Sequence, residues 1–473
     1  MSLTHQVAKN TLFQVISKAI ALVVGVVVIG LMTRYLGVFG FGEYSTIVAY
    51  LAFFGILADF GLQISVVNLM NDGRFDQGKV FSTAFTFRFL TALILFLLSS
   101  IIILAFPYSY TIKVGVWIAA IAYFALALHQ LLIGLFQHHM RMHEVTIAEV
   151  SGKIFLLIAT YLGVHYDVGF FWLLTLIVIA SVLQTIILFA YAKRITPLKL
   201  TIDTVICKAL ISDSWPIAIS IVFNLIYFKA DTLVLSLTRS QEEVGLYSAA
   251  YRMLEVLIGY PYLFVGLLLP VLAKSWAMND KERYARVLQK TFDALVVLAA
   301  PIVVGTILTA DKIMVLIAGE KFIDSANALR ILIVATGIIF VNVVFGYAIV
   351  IIKKQKSMLL GYIATAVIAL TLYLTLIPRY SFIAAAWITV GAEGIMLLLN
   401  YFVSTKSSGI RVSFANAFKI CVSAGIMGVV VSQILYLPFA VIVLIACTVY
   451  VALLMVMRII TKELITSLVR SQS

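Results

Sequence analysis

The chain has 473 residues, of which 63% are hydrophobic and 12% are charged, and its mean hydropathy is +1.11. A soluble globular domain of this composition would lack the polar surface that faces water, so the sequence predicts an all-α polytopic membrane protein. The formal net charge of +13 invites a nucleic-acid partner, but the basic residues lie in short loops between apolar runs, and we expect none. The three cysteines have no ligand-like spacing, which argues against a metal site or a disulfide framework.

Apolar runs long enough to cross a membrane recur along the whole chain. A helical span needs about 20 mainly apolar residues, and we predict about fourteen such helices. The first run begins after Lys9 and is too long for the core of a signal peptide, so we expect it to be retained. The predicted spans are 10–33, 41–66, 80–106, 113–135, 145–164, 168–192, 214–238, 244–272, 291–317, 327–352, 357–378, 382–404, 416–436 and 438–460.

Lysine and arginine residues are unevenly distributed between alternate loops. With the N-terminus inside, 22 of the 34 fall in cytoplasmic segments, 7 fall in outer loops and the remaining five lie within spans. Because positive charge marks the cytoplasmic side, we predict that both termini are cytoplasmic. This orientation supports an even number of spans. We expect the chain to lie in the cytoplasmic (inner) membrane.

A weak internal repeat indicates two related halves. Three short motifs recur in the same order, and in transporters the substrate site lies between such halves. We predict an N-lobe with six spans at 1–200, a C-lobe with six spans at 201–405, and two appended spans with a tail at 406–473. The motif pairs are FGEYS (41–45) with VGLYS (244–248), MND (70–72) with MND (278–280), and TFR (86–88) with TFD (291–293).

Polar side chains form stripes along some of the predicted spans. Gln14 and Lys18 share one face of span 1 by i+4 spacing, and Asn224 shares a face of span 7 with Asp231. Such stripes suit a water-filled cavity better than lipid. Because they come from both halves, the sequence predicts a cavity between the halves that carries basic and acidic groups.

Charged residues inside spans are candidate functional residues, because a charge in hydrocarbon costs roughly 2.5–3.5 kcal/mol on insertion scales. A structural interpretation stands beside the functional one. Glu149 and Lys153 have the i,i+4 spacing, and Arg252 and Glu255 the i,i+3 spacing, at which opposite charges neutralise each other. Arg88 lies close enough to an inner end for partial snorkelling.

Several longer segments resemble the polysaccharide exporter family, the O-antigen-type flippases of the multidrug/oligosaccharidyl-lipid/polysaccharide exporter superfamily. The resemblance covers nearly the whole chain. It implies two pseudo-symmetric six-helix lobes in a V that alternate access, plus two C-terminal helices. The segments that carry it are LMTRYLGVFGFGEYS (31–45), ADFGL (58–62) and ADTLVLSLTRSQEEVGLYSAAYRMLE (230–255), followed by Pro270.

The resemblance implies a flippase that moves a polyprenyl-pyrophosphate-linked oligosaccharide from the inner to the outer leaflet, coupled to H⁺ or Na⁺. Glycosyltransferases and a polysaccharide polymerase would be its partners, beside membrane lipid. We expect no cofactor, because no GxxxxGK[ST] motif for ATP is present. The residues assigned to the pyrophosphate and sugar cavity are Lys18, Arg88, Lys153, Arg252, Asn224 and Gln14; those assigned to the ion are Asp59, Asp231 and Glu255.

Lys229 receives a different role. It lies two residues from Asp231, about 200° around a helix, so the two side chains point apart. At roughly 12 Å from the outer end of its span it is too deep to snorkel easily. We therefore expect a salt bridge to a neighbouring helix, with Glu255 or Asp59 as partner, that gates the transporter.

Two alternative functions remain open at this point. A cation-coupled multidrug antiporter of the same superfamily would favour acidic and aromatic groups for cationic drugs, whereas several cavity candidates here are basic. An integral-membrane polysaccharide polymerase or acyltransferase would usually need a large outer loop or an embedded histidine. The sequence offers no large outer loop, so we expect a transporter and not an enzyme.

Overall fold

The computed structural model describes residues 3–196 and 199–459, and within them the side chains of 3–19, 21, 216–217 and 219–228 lie outside the description. Every regular element among the described residues is helical, which confirms the predicted all-α class. The helices are α1 Leu3–Asp59, α2 Leu62–Asp72, α3 Gln77–Ile102, α4 Tyr110–His138, α5 Met142–His165, α6 Phe170–Ala192, α7 Thr204–Thr238, α8 Gln241–Ala277, α9 Lys281–Ala318, α10 Ser325–Ile351, α11 Leu359–Ser408, α12 Ala415–Gln433 and α13 Phe439–Val456.

Eleven of these helices, counted over the described residues, are long and apolar enough to cross a membrane. The predicted number of fourteen therefore stays a prediction. Two long helices each contain a residue with non-helical backbone angles, Gly37 in α1 and Ser381 in α11. Both breaks fall between spans that the sequence predicts as separate. One break was not predicted: predicted span 2 is interrupted at Phe60 and Gly61, which have positive φ angles of 46° and 72°.

Short polar side chains begin several helices. The Asp76 carboxylate accepts from the backbone N–H of Lys79 at 2.9 Å at the start of α3, and Asp203 accepts from Val205 and Ile206 at the start of α7. These bonds satisfy backbone donors that have no partner within the helix. They also hold a carboxylate at the first turn, where the helix dipole favours negative charge.

The chain divides into two compact units. The first contains the described residues up to Ser248 together with two short pieces, Ile317–Lys321 and Tyr373–Ser381; the second contains the rest. In the first unit α4 packs against α6 and α3, around a core that includes Phe81, Leu131 and Phe136. Helix α1 packs against α5 and α4. In the second, α12 packs against α13. The predicted boundaries at 200 and 405 stay predictions.

The glycines of two repeated motifs meet inside the first unit. A Cβ built on Gly42 of FGEYS would lie 1.7 Å from the carbonyl oxygen of Gln241, and one built on Gly245 of VGLYS would lie 2.0 Å from that of Val38. The backbones of α1 and α8 therefore touch directly, which only glycine permits. The motif for which the sequence offered no chemical role is thus a close-packing contact.

Candidate functional site

A buried ion pair joins three helices of the first unit. The side chain of Arg88 on α3 is 1% exposed, and its Nη2 lies 2.5 Å from Oδ1 of Asp59 at the end of α1. Its Nε donates to the carbonyl of Ala127 on α4 at 3.1 Å, and Nη1 donates to the carbonyl of Ala58. The guanidinium, predicted to hold substrate, is therefore engaged by a carboxylate and two backbone carbonyls. This set of contacts suits a structural fastening between helices.

Asp231 on α7 lies inside the first unit, fully buried by protein. Its Oδ2 accepts from the hydroxyl of Tyr247 on α8 at 2.5 Å, and its Oδ1 accepts from the backbone N–H of Thr232 at 2.5 Å and the hydroxyl of the same residue at 3.2 Å. A buried carboxylate with three donors is electrostatically satisfied as long as these contacts last. A movement of α8 relative to α7 would break the hydrogen bond from Tyr247. The environment of the Asp231 carboxylate would therefore change with conformation.

Arg252 and Glu255 form the predicted intrahelical pair on α8, in the second unit. Nη1 of Arg252 donates to Oε2 of Glu255 at 2.7 Å. The two side chains are 25% and 27% exposed, so both are accessible. This pair has the chemistry expected at an anion site, because a guanidinium that the protein does not enclose can exchange one oxyanion partner for another.

The other assigned residues are less closely defined. The side chains of Lys18, Gln14 and Asn224 lie outside the described residues. Lys153 on α5 is half-buried. Glu149, one turn earlier, lies 4.0 Å from Nε2 of His129 on α4.

The predicted partner of Lys229 stays a prediction. Both candidate carboxylates accept from a guanidinium in this structure: Asp59 from Arg88 and Glu255 from Arg252. Lys229 itself is half-buried.

A buried carboxylate in the second unit was visible in the sequence but received no role. Glu393 on α11 is 2% exposed, and its Oε1 has no hydrogen-bond partner among the described residues. Asn342 on α10 bonds to the same carboxyl group, and Nδ2 of Asn400 donates to Oδ1 of Asn342 at 2.8 Å. The sequence showed an acidic residue in a span. It could not show these hydrogen bonds between amide and carboxyl groups. Asn342 on α10 lies 51 positions before Glu393 and 58 before Asn400, and the sequence does not show which residues of two helices meet.

A family model described as polysaccharide biosynthesis protein matches residues 7–276. A search of curated proteins returned no match.

Several solved structures have the same fold. A structure of the lipid II flippase MurJ in an inward closed conformation is similar with a TM-score of 0.79 and 17% identity, covering 93% of this chain and 97% of that one. A multidrug resistance MATE family transporter of the MOP superfamily, facing inward, is similar with a TM-score of 0.65 and 13% identity, covering 81% and 94%. A MOP superfamily transporter from Pyrococcus furiosus with a reverse polarity of its binding pocket is similar with a TM-score of 0.56 and 13% identity, covering 85% and 96%. At these identities the likeness is one of fold, and the fold is that of transporters and flippases.

Proposed function

Because the chain belongs to the polysaccharide biosynthesis protein family, we propose that it is a flippase that moves a polyprenyl-pyrophosphate-linked oligosaccharide from the inner to the outer leaflet by alternating access. The observation that carries the proposal is the similarity in fold, over 93% of the chain, to a lipid II flippase. The chain is a multi-pass membrane protein with eleven apolar helices among its described residues. The lysine and arginine bias supports placing it in the inner membrane with both termini in the cytoplasm.

The pyrophosphate diester needs cationic groups in a cavity of low dielectric constant. Arg252 fits this role better than Arg88, since its guanidinium is a quarter exposed and the other is almost fully enclosed. Lys153, half-buried on α5, is a further candidate. We assign Arg88 to the stability of the first unit, and we keep Lys18, Gln14 and Asn224 as candidate cavity residues.

Coupling to H⁺ or Na⁺ would use carboxylates inside the spans. Asp231 is fully buried beside Tyr247, and Glu393 has an oxygen without a hydrogen-bond partner among the described residues. With the cell interior negative, outward movement of each negative charge is favourable by about 2.3 kcal/mol per 100 mV. Glycosyltransferases that assemble the glycan, and a polymerase that extends it outside, are the partners this function requires.

The test is a flipping assay with purified protein. Proteoliposomes are loaded with a labelled polyprenyl-pyrophosphate oligosaccharide, and an impermeant glycosidase trims the sugar that reaches the outer face. Arg252→Ala should slow trimming by about 10–100-fold, since a hydrogen bond to a charged group contributes about 1.5–3 kcal/mol. The matched control is Arg286→Ala on α9, because that arginine also has a glutamate partner, Glu282 at 3.7 Å, but lies on an exposed surface.

Two outcomes contradict the proposal. Equal rates of glycan trimming for wild type, Arg252→Ala and empty liposomes would show that the protein does not flip this lipid. Proton- or sodium-driven export of a cationic dye, without any trimming of the glycan, would favour a drug antiporter; the similar MATE structure is that of a multidrug resistance transporter.

A further inference from the structure

An apolar groove runs along the outside of α3, α4 and α6 in the first unit. It has a volume of about 470 Å³, within the roughly 300–1,000 Å³ of ligand pockets. Its one hydroxyl, on Thr185, donates to the carbonyls of Ala125 and Ser181, so this hydroxyl is already paired. The groove is lined by Phe85, Phe89, Leu128, Leu132, Thr185, Ile186, Phe189, Lys193, Lys199 and Leu200.

The groove ends at two lysines. Lys193 follows the last residue of α6, and its ammonium lies 4.9 Å from the ring centroid of Phe189. Lys199 lies in the loop that follows, which the positive-charge bias places in the cytoplasm. From Thr185 to Lys193 a helix rises about 12 Å. One leaflet contributes about 15 Å of hydrocarbon, so the groove matches the depth of the inner leaflet.

A polar pocket of about 420 Å³ adjoins the groove, and Lys199 lines both. Two carboxylates, two ammonium groups and several hydroxyls surround it. One of these hydroxyls, on Thr83, is buried at 1% exposure and its Oγ1 has no hydrogen-bond partner among the described residues. The lining residues are Asp76, Gly78, Lys79, Ser82, Thr83, Lys199, Thr201, Ile202 and Asp203.

The charges of this pocket indicate which lipid head group it could bind. Lys79 and Lys199 suit a phosphate, whereas Asp76 and Asp203 would repel a purely anionic head group and suit an ammonium. The combination is complementary to a zwitterion. A head group of this kind must continue into an acyl chain, and the apolar groove begins at the same lysine.

We propose that the groove and the pocket together bind one ethanolamine phospholipid of the inner leaflet. Its phosphate lies at Lys199, with Lys79 of the pocket and Lys193 of the groove as further cations. Its primary ammonium lies at Asp76 and Asp203, and one acyl chain lies in the groove. The site lies wholly within the first unit. It is a lipid site in addition to whatever holds the transported substrate, and it does not depend on the proposed flippase activity.

The test is native mass spectrometry of the full chain in detergent, with added palmitoyl-oleoyl lipids that differ only in head group. Phosphatidylethanolamine should be retained at one copy and at least tenfold more tightly than phosphatidylcholine or phosphatidylglycerol. Lys199→Ala should abolish this preference. Asp76→Ser with Asp203→Ser keeps both helix caps, because serine also caps, and it should shift the preference from phosphatidylethanolamine to phosphatidylglycerol.

The groove is tested separately by filling it. Ile186 is 59% exposed and lines the groove, so Ile186→Trp should displace the lipid without disturbing the core. The matched control is Ile179→Trp, two turns earlier on the same face of α6, 44% exposed and outside the groove. Equal retention of all three lipids, or unchanged retention in both Lys199→Ala and Ile186→Trp, would overturn the site. Displacement of the phospholipid by a polyprenyl phosphate at equal concentration would assign the groove to the transported lipid instead.

Discussion

Removing either partner of the Arg88–Asp59 pair should destabilise the first unit, but by different amounts. The pair joins α1 to α3, and the same guanidinium bonds to a carbonyl on α4. Asp59→Ala leaves a cation that is 1% exposed, with backbone carbonyls as its remaining acceptors in this structure. Loss of one member of a buried pair costs about 3–5 kcal/mol, and this variant should reach that range.

Arg88→Met should cost less, about 1–3 kcal/mol, the penalty for an unsatisfied polar group. The carboxylate that remains is 28% exposed, so the protein encloses it far less than it encloses the guanidinium. The thioether side chain of methionine refills much of the volume. In the double variant Arg88→Met/Asp59→Ala no uncompensated charge remains. It should therefore be more stable than Asp59→Ala alone, although it lacks both partners.

Thermal unfolding of the purified protein in detergent checks this order. At about 2–4 °C per kcal/mol for a unit of 150–250 residues, Asp59→Ala should lower Tm by roughly 6–20 °C. A double variant that is less stable than both single variants would refute the reasoning, because it would show additive losses rather than a coupled pair. A variant Arg88→Met with the Tm of the wild type but no flipping would return Arg88 to the substrate site.

Two further predictions follow from exposed positions and from close packing. Gly42→Ala or Gly245→Ala should prevent accumulation of folded protein, seen as loss of the monodisperse peak in size-exclusion chromatography. Gly259→Ala, where an added Cβ meets nothing within 4 Å, should leave that peak unchanged, and folded protein in either of the first two variants would contradict the contact. In a cysteine-free background, an impermeant thiol reagent outside the cell should label Tyr110→Cys, 78% exposed at the start of α4, but not Lys354→Cys; the reverse pattern would invert the topology.

The sequence predicted the helices and the family well, for a physical reason. Lipid requires every backbone polar group to bond within its own helix, so a span is readable from composition alone. The predicted family is confirmed by the match over residues 7–276. Helix interruptions were less predictable: those at Gly37 and Ser381 fall at predicted loops, but that at Phe60 and Gly61 falls inside an apolar run. Hydropathy carries no signal for a φ angle.

Contacts between charged side chains could be predicted only where both residues lie on the same helix. The Arg252–Glu255 pair follows from a spacing of three residues and is confirmed. The pairing of Arg88 with Asp59 joins two helices, and it depends on which faces meet after folding. The contact that involves Gly42 and Gly245 was predictable only in part. The repeat drew attention to both motifs, but their contact could not be derived, because a repeat shows equivalence and not proximity.

The Arg252–Glu255 pair gives the proposed transport a way to couple substrate to an ion. Both side chains lie on one helix and are about a quarter exposed, so they can separate by side-chain rotation without moving the backbone. We expect that a pyrophosphate which takes the guanidinium requires the Glu255 carboxylate to bind H⁺ or Na⁺ in place of the lost cation. Glu255→Gln removes this requirement while it leaves Arg252 available. We therefore expect this variant to bind the lipid-linked glycan at least as tightly as the wild type, and to flip it at a rate independent of the pH or Na⁺ gradient across the proteoliposome. If flipping by Glu255→Gln depends on the gradient as strongly as flipping by the wild type, this carboxylate is excluded from coupling. Asp231 and Glu393 then remain as the groups that bind the ion.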